Sequence, residues 1–101
     1  MTQRNRYIDL QNLKQRIPVV EFYMHEQELN RVKTSGKWME GGTCPFHDDR
    51  KPGSFYIHKE IGCYQCFSCG AKGADFVSFI MEKYDLSFKE ALMKLVKEWG
   101  V

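Results

Sequence analysis

Long apolar runs are missing from this sequence. None approaches the ~20 residues that a helix needs to cross a bilayer, and the polar start from Met1 to Arg6 is not followed by the apolar stretch of a secretion signal. A cytoplasmic protein with no membrane partner is expected. Proline is scarce, three residues in 101, and no low-complexity tract, internal repeat or linker interrupts the chain. This excludes collagen-like and disordered classes and leaves one folded unit over residues 1–101 as the expectation. Strong charge of one sign is also absent. The net charge of +2 is too small to establish a nucleic-acid partner, but it is unevenly spread: residues 1–72 hold 11 Lys/Arg against 8 Asp/Glu, and residues 73–101 hold 4 against 5. Any basic surface therefore belongs to the first part of the chain.

That part also holds all four cysteines, which in a reducing compartment serve as metal ligands or catalysts more often than as disulfides. Cys44-x2-His47 and Cys66-x2-Cys69 are separated by eighteen residues. A two-residue spacing lets a tight turn aim both side chains of a pair at one ion, and Pro45, Gly70 and Gly73 suit such turns. Three thiolates and one imidazole match tetrahedral Zn²⁺. With four protein ligands no position is left for a catalytic water, so one structural zinc is expected, closing a loop in a domain with little core of its own. Cys63 is separated from Cys66 by two residues and offers a rival knuckle or a redox Cys-x-x-Cys pair.

The elements around these ligands follow from pattern. Asp9 to Arg16 reads as a short helix with Asp9 as N-cap and Leu10, Leu13 and Ile17 on one face. Pro18 ends it and can open a second helix through Val19, Val20, Phe22 and Tyr23. Leu29 to Glu40 suggests a hairpin about Ser35-Gly36. Ser54 to His58 alternates as a strand with Phe55 and Ile57 inward and Tyr56 and His58 outward; a turn at Glu60 to Gly62 leads into a second strand, Cys63 to Cys66. Asp75 opens a helix carrying Phe76, Phe79 and Ile80, and Ser87 with Glu90 forms a capping box for a last helix whose buried stripe is Phe88, Ala91, Leu92, Leu95 and Trp99. Phe46, Phe67 and Trp38 are assigned to the core. The fold class is α+β, a small antiparallel sheet flanked by short N-terminal and C-terminal helices.

Cys44-Pro45-Phe46-His47-Asp48-Asp49, Pro52, Ser54-Phe55, Tyr64-Gln65-Cys66-Phe67-Ser68-Cys69-Gly70 and Gly73-Ala74-Asp75 together resemble the N-terminal zinc-binding domain of bacterial and phage DnaG-type primases. Phe79-Ile80-Met81-Glu82 and Leu86 to Ala91 extend the likeness to roughly residues 7–99. The resemblance implies a zinc ribbon whose sheet carries single-stranded template and helps choose where an RNA primer begins. It also implies a catalytic TOPRIM-type domain elsewhere and a replicative helicase as partner, so that this chain alone has no catalytic residue. Three positions depart from the family pattern. Gly53 is inserted between Pro52 and Ser54, Gln65 replaces a histidine, and Ser68 replaces a glycine. These changes suit a phage or mobile-element relative in a bacterial host and bear on template preference.

Single strands are held by cations on phosphates and aromatic faces under bases. Position within the resemblance nominates Arg50, Pro52 and Gln65, and also Lys37, one residue out of register because of Gly41-Gly42. Strand alternation and proximity nominate Lys51, Tyr56, His58 and Lys59. Against these stand the ordinary solvated roles of exposed Lys and Arg, and for His58 a role as spare ligand. Three rival functions are a protein-interaction module using the last helix, a redox enzyme at Cys63-x-x-Cys66, and a reader of duplex DNA. No basic recognition helix supports the third, since Lys89, Lys94 and Lys97 are mixed with Glu90 and Glu98.

Overall fold

A computed structural model describes residues 10–48 and 51–101. The apolar spacing at the start forms helix α1 (Leu10–Arg16), which buries Leu13 and delivers Ile17 to the core. Asp9, the expected cap, lies outside the described residues. Pro18 stops α1 because it cannot donate to the ladder, and its extended backbone (φ −66°, ψ 126°) then forms the N-cap of α2 (Val19–Glu26). The Pro18 carbonyl accepts from Phe22 N–H at 2.9 Å, so one residue ends one helix and starts the next.

Five short strands follow: β1 (Thr34–Ser35), β2 (Trp38–Glu40), β3 (Phe55–His58), β4 (Tyr64–Cys66) and β5 (Lys72–Gly73). They pair antiparallel in chain order as one meander. The first hairpin turns about Gly36-Lys37 rather than Ser35-Gly36, and Arg31 to Lys33 lies outside its strands. Pairing of Ser35 with Trp38 leaves a two-residue loop, and the positive φ that such a loop needs falls on Gly36 (62°). The fourth strand begins at Tyr64, one residue later than expected, because the Cys63 carbonyl is used to close the preceding turn against His58 N–H (2.8 Å).

Alternation divides the sheet cleanly. Met39, Phe55, Ile57, Tyr64 and Cys66 point inward and are buried, while Trp38, Tyr56, His58 and Gln65 face outward. Helix α3 (Phe76–Tyr84) lies against the inner face and is capped by Asp75, whose carboxylate accepts from Ser78 N–H at 2.9 Å. Its Phe79 is the centre of the aromatic core, with ring centroids of Tyr23, Tyr64, Phe46 and Phe55 at 5.0, 5.3, 5.5 and 6.0 Å. Edge-on and tilted pairs of this kind contribute about 0.5–1.5 kcal/mol each beyond burial. Helix α4 (Phe88–Trp99) starts at the expected Ser87/Glu90 capping box. Ala91, Leu92 and Leu95 are buried, but Phe88 is 47% exposed. Helical side chains lean toward the N-terminus, so a residue in the first turn leans out past the packed face.

Polar contacts fasten the N-terminal helices to the C-terminal ones. Lys14 pairs with Asp75 at 2.7 Å, and Glu26 accepts from Lys83 at 2.9 Å and from the Tyr84 hydroxyl. Among the described residues, no helix is long and apolar enough to cross a membrane.

Candidate metal centre and the exposed sheet face

The loop after β2 and the turn after β4 bring the two predicted pairs together. One donor atom from each of Cys44, His47, Cys66 and Cys69 lies within 4.8 Å of the others. Cys44 and Cys69 Sγ are 3.8 Å apart. A disulfide needs ~2.05 Å, whereas two sulfurs each ~2.3 Å from one tetrahedral ion stand about 3.8 Å apart. The donor chemistry and this spacing fit one structural zinc ion, and these four residues would hold it. Cys63 is not among them: it lines a cavity with Trp38, Gln65 and Lys72, and Cys66 is grouped with Cys44, His47 and Cys69 instead of with Cys63.

Backbone amides prepare the thiolates. Burial pushes the Cys44 thiol up to about 12, opposed by the Phe46 N–H aimed at its sulfur from 3.4 Å. Burial also raises Cys66, but the amides of Cys69 and Ser68 outweigh it and hold that thiol below its ordinary value. A bound Zn²⁺ supplies the positive charge that makes buried thiolates stable. The knuckle around Cys66 is fixed on three sides: Cys66 N–H donates to Ala71 O, Phe67 N–H to Ser54 O, and Gly70 N–H back to Cys66 O, all at 2.8–2.9 Å. Gly70 takes φ 84° at the return of that turn. The segment entering Cys44 has a further support that no spacing rule anticipates. The Gln27 side chain donates to Gly41 O at 2.9 Å and to Thr43 O at 2.8 Å. A glutamine at a helix C-cap carries no pattern that would announce this.

Zinc and sheet are continuous, since Cys66 ends β4 and the next residue, Phe67, lies on the knuckle's surface. Phe67 is 69% exposed and Trp38 is 37% exposed. Their assignment to the core is therefore corrected, while Phe46 does pack inside, stacked on Tyr64 at 5.5 Å. Phe67 is turned outward because the cysteines on both sides of its knuckle point at the metal. Trp38 is outward because Met39 takes the inward position. Period-two alternation already contains the second signal.

The predicted contact residues fall into three groups. Tyr56, His58 and Gln65 share the outer face, with Tyr56 directly opposite Gln65 and Trp38 opposite His58. Lys37 and Lys59 meet at one end of it, where Lys59 N–H donates to Lys37 O at 2.8 Å. Lys51 and Pro52 are exposed on the loop before β3, and Arg50 lies outside the described residues. His58 is not a spare ligand. Its Nδ1 accepts from the Glu60 and Ile61 amides at 3.2 and 3.1 Å, which places its proton on Nε2 and makes it the clasp of the β3–β4 turn. The structure adds Lys72, exposed and paired with Gln65, from a strand too short for its sequence to reveal.

The CHC2 zinc-finger family model matches residues 5–101. The chain is 37% identical over 92 residues to the DNA primase of Thermotoga maritima, covering 91% of this chain and 15% of that protein, and 40% identical over 74 residues to that of Deinococcus radiodurans, covering 73% and 13%. The chain thus spans about 15% of the length of the primases it matches. A crystal structure of the zinc-binding and RNA polymerase domains of Aquifex aeolicus primase superposes with a TM-score of 0.69 at 31% identity, covering 93% of this chain and 22% of that one. By ligands, fold and sequence alike, the chain belongs to the CHC2 zinc-finger family and is a zinc-binding domain of the DNA-primase type.

Proposed function

We propose that this domain grips single-stranded DNA template on the outer face of its sheet and so helps select where a primase begins an RNA primer. The observation that carries the reading is the row of outward aromatic and amide side chains, Trp38, Tyr56, Gln65 and Phe67, lining a shallow cavity of about 250 Å³ with Ser35. Tyr56 and Phe67 meet edge to face at 5.6 Å, and Trp38 and His58 at 5.3 Å, so the rings are held in place before any base arrives. Lys37, Lys59 and Lys72 border this row and supply the cations that a phosphate backbone requires. Lys51 and Pro52 would extend the path along the loop before β3, and Arg50 is proposed as a further phosphate contact.

On this reading residues 1–101 act as one unit, and the zinc ion does no chemistry. Nucleotide transfer belongs to a separate TOPRIM-type catalytic domain, and the assembly works in the cytoplasm beside a replicative helicase. Direct titration of the zinc-loaded chain with labelled oligonucleotides tests the reading. Phe67→Ala is expected to weaken binding by ~1–3 kcal/mol, as removal of one base stack does. Combined Lys37→Ala, Lys59→Ala and Lys72→Ala is expected to flatten the salt dependence by roughly 0.7 for each phosphate no longer neutralised. The competing reading, docking of a protein on α4 through exposed Phe88 and Met93, predicts no oligonucleotide binding by the domain at all.

A further inference from the structure

The outer face holds two adjoining cavities. The first is the aromatic hollow of about 250 Å³ between Trp38, Tyr56 and Phe67. The second, about 450 Å³, adjoins Trp38 and is lined also by Cys63, Tyr64, Lys72, Gly73 and Ala74. Among the described residues, only Trp38 and Gln65 border both. Trp38 is thus a partition between two adjacent hollows, steadied by its edge contact with His58. Gln65 lies on the floor at the junction, flanked by Tyr56 on one side strand and Lys72 on the other.

Gln65 is half-buried on a strand whose neighbours are fixed by zinc. Among the described residues, no hydrogen bond engages its side-chain amide. A glutamine amide presents a donor and an acceptor side by side, the arrangement that pairs with N6 and N7 of adenine, whereas a carboxylate in the same place can only accept and favours the cytosine amino group. Both hollows have aromatic walls, which stack on any base, and they differ in one respect. The larger alone has a cation, Lys72, beside the Gln65 amide, which suits a base read by its edge next to its phosphate.

We infer that this face seats two successive unpaired bases, one on each side of Trp38, and that Gln65 determines the identity of the base in the larger hollow, selecting adenine. The inference rests on the single-strand reading proposed above. Trp38 sets the step between the two bases, and Lys72 holds the phosphate of the selected nucleotide.

The test uses the zinc-loaded 101-residue chain and labelled oligothymidylates carrying one interior A, C or G. The wild-type chain is expected to bind the adenine-containing strand about tenfold more tightly than oligothymidylate, the discrimination that one bidentate contact gives. Gln65→Leu should erase that preference and Gln65→Glu should transfer it to cytosine, each read as the ratio of affinities among the four strands and not as overall affinity. Trp38→Ala should weaken all four strands by roughly tenfold, with Trp38→Phe restoring most of the affinity. Zinc content and melting temperature, unchanged in the Gln65 variants, show that the fold is intact. Wild-type binding with no base preference, or a preference that both Gln65 variants keep, overturns this inference and leaves the single-strand reading standing. Absence of oligonucleotide binding by the wild-type chain at low salt overturns both.

Discussion

Cys44 and Cys69 are 25 positions apart in sequence, yet their sulfur atoms stand 3.8 Å from each other, the edge of a zinc tetrahedron. The end of β4 depends on that closure, because the same knuckle that carries Cys69 ends the strand and presents Phe67. Removing zinc by chelation, or one ligand by Cys66→Ser, is expected to cost at least ~4 kcal/mol and to abolish single-strand binding together with sheet structure. Denaturant unfolding with parallel measurement of bound zinc checks this.

Gln27 connects the end of α2 to the metal loop through two hydrogen bonds to main-chain carbonyls. Gln27→Ala leaves both carbonyls without their donor and should destabilise the domain by about 1–2 kcal/mol. Zinc affinity should fall as well, since the backbone leading to Cys44 is no longer held. Competition with a chromophoric chelator measures the second effect independently of the first.

Asp75 provides a pH signature. Burial raises its pKa, but the Lys14 ammonium at 2.7 Å and the Ser78 amide outweigh that and hold it below the usual carboxylate range. An unfolded aspartate titrates near ~3.9. As the pH falls, the unfolded chain takes up this proton first, so the stabilisation is complete above about pH 4 to 5 and is lost as the pH drops through that value toward the lower folded one. Asp75→Asn, which keeps a cap but removes the ion pair, should be less stable by ~1–2 kcal/mol at pH 7. The gap should close toward pH 3, as read from chemical unfolding at several pH values.

Gly73 is fixed by packing rather than by backbone torsion. A Cβ there would lie 2.4–2.5 Å from the ring and hydroxyl of Tyr64, a buried side chain anchored to Glu82 at 2.9 Å. Gly73→Ala should therefore cost about 1–3 kcal/mol through overpacking. Thermal melts of the zinc-loaded variant test this, with zinc stoichiometry expected to remain at one.

The four ligands, the α+β class and the inward pair Phe55 and Ile57 are legible in the sequence because spacing and alternation act locally. Strand β5 is not, since two residues carry no period, and Lys72 goes unnoticed with it. Trp38 and Phe67 read as core because large aromatic side chains are core residues by default. Only the tertiary arrangement shows that Met39 and the metal have already claimed the inward positions. Phe88 departs from expectation at a helix end, where the stripe continues in sequence but the partner surface does not. The support from Gln27 cannot be read at all, because a side chain that reaches across 14 positions leaves no trace in spacing.

The most direct measurement is a residue-resolved map of chemical-shift changes when a single-stranded oligonucleotide is added to the zinc-loaded chain. The Trp38 indole and the amides of Tyr56, Gln65, Phe67 and Lys72 are expected to shift in proportion to occupancy, while the outer side of α4 around Phe88 and Met93 does not. Shifts confined to α4, or none on the sheet at saturating oligonucleotide, would contradict a template-gripping sheet.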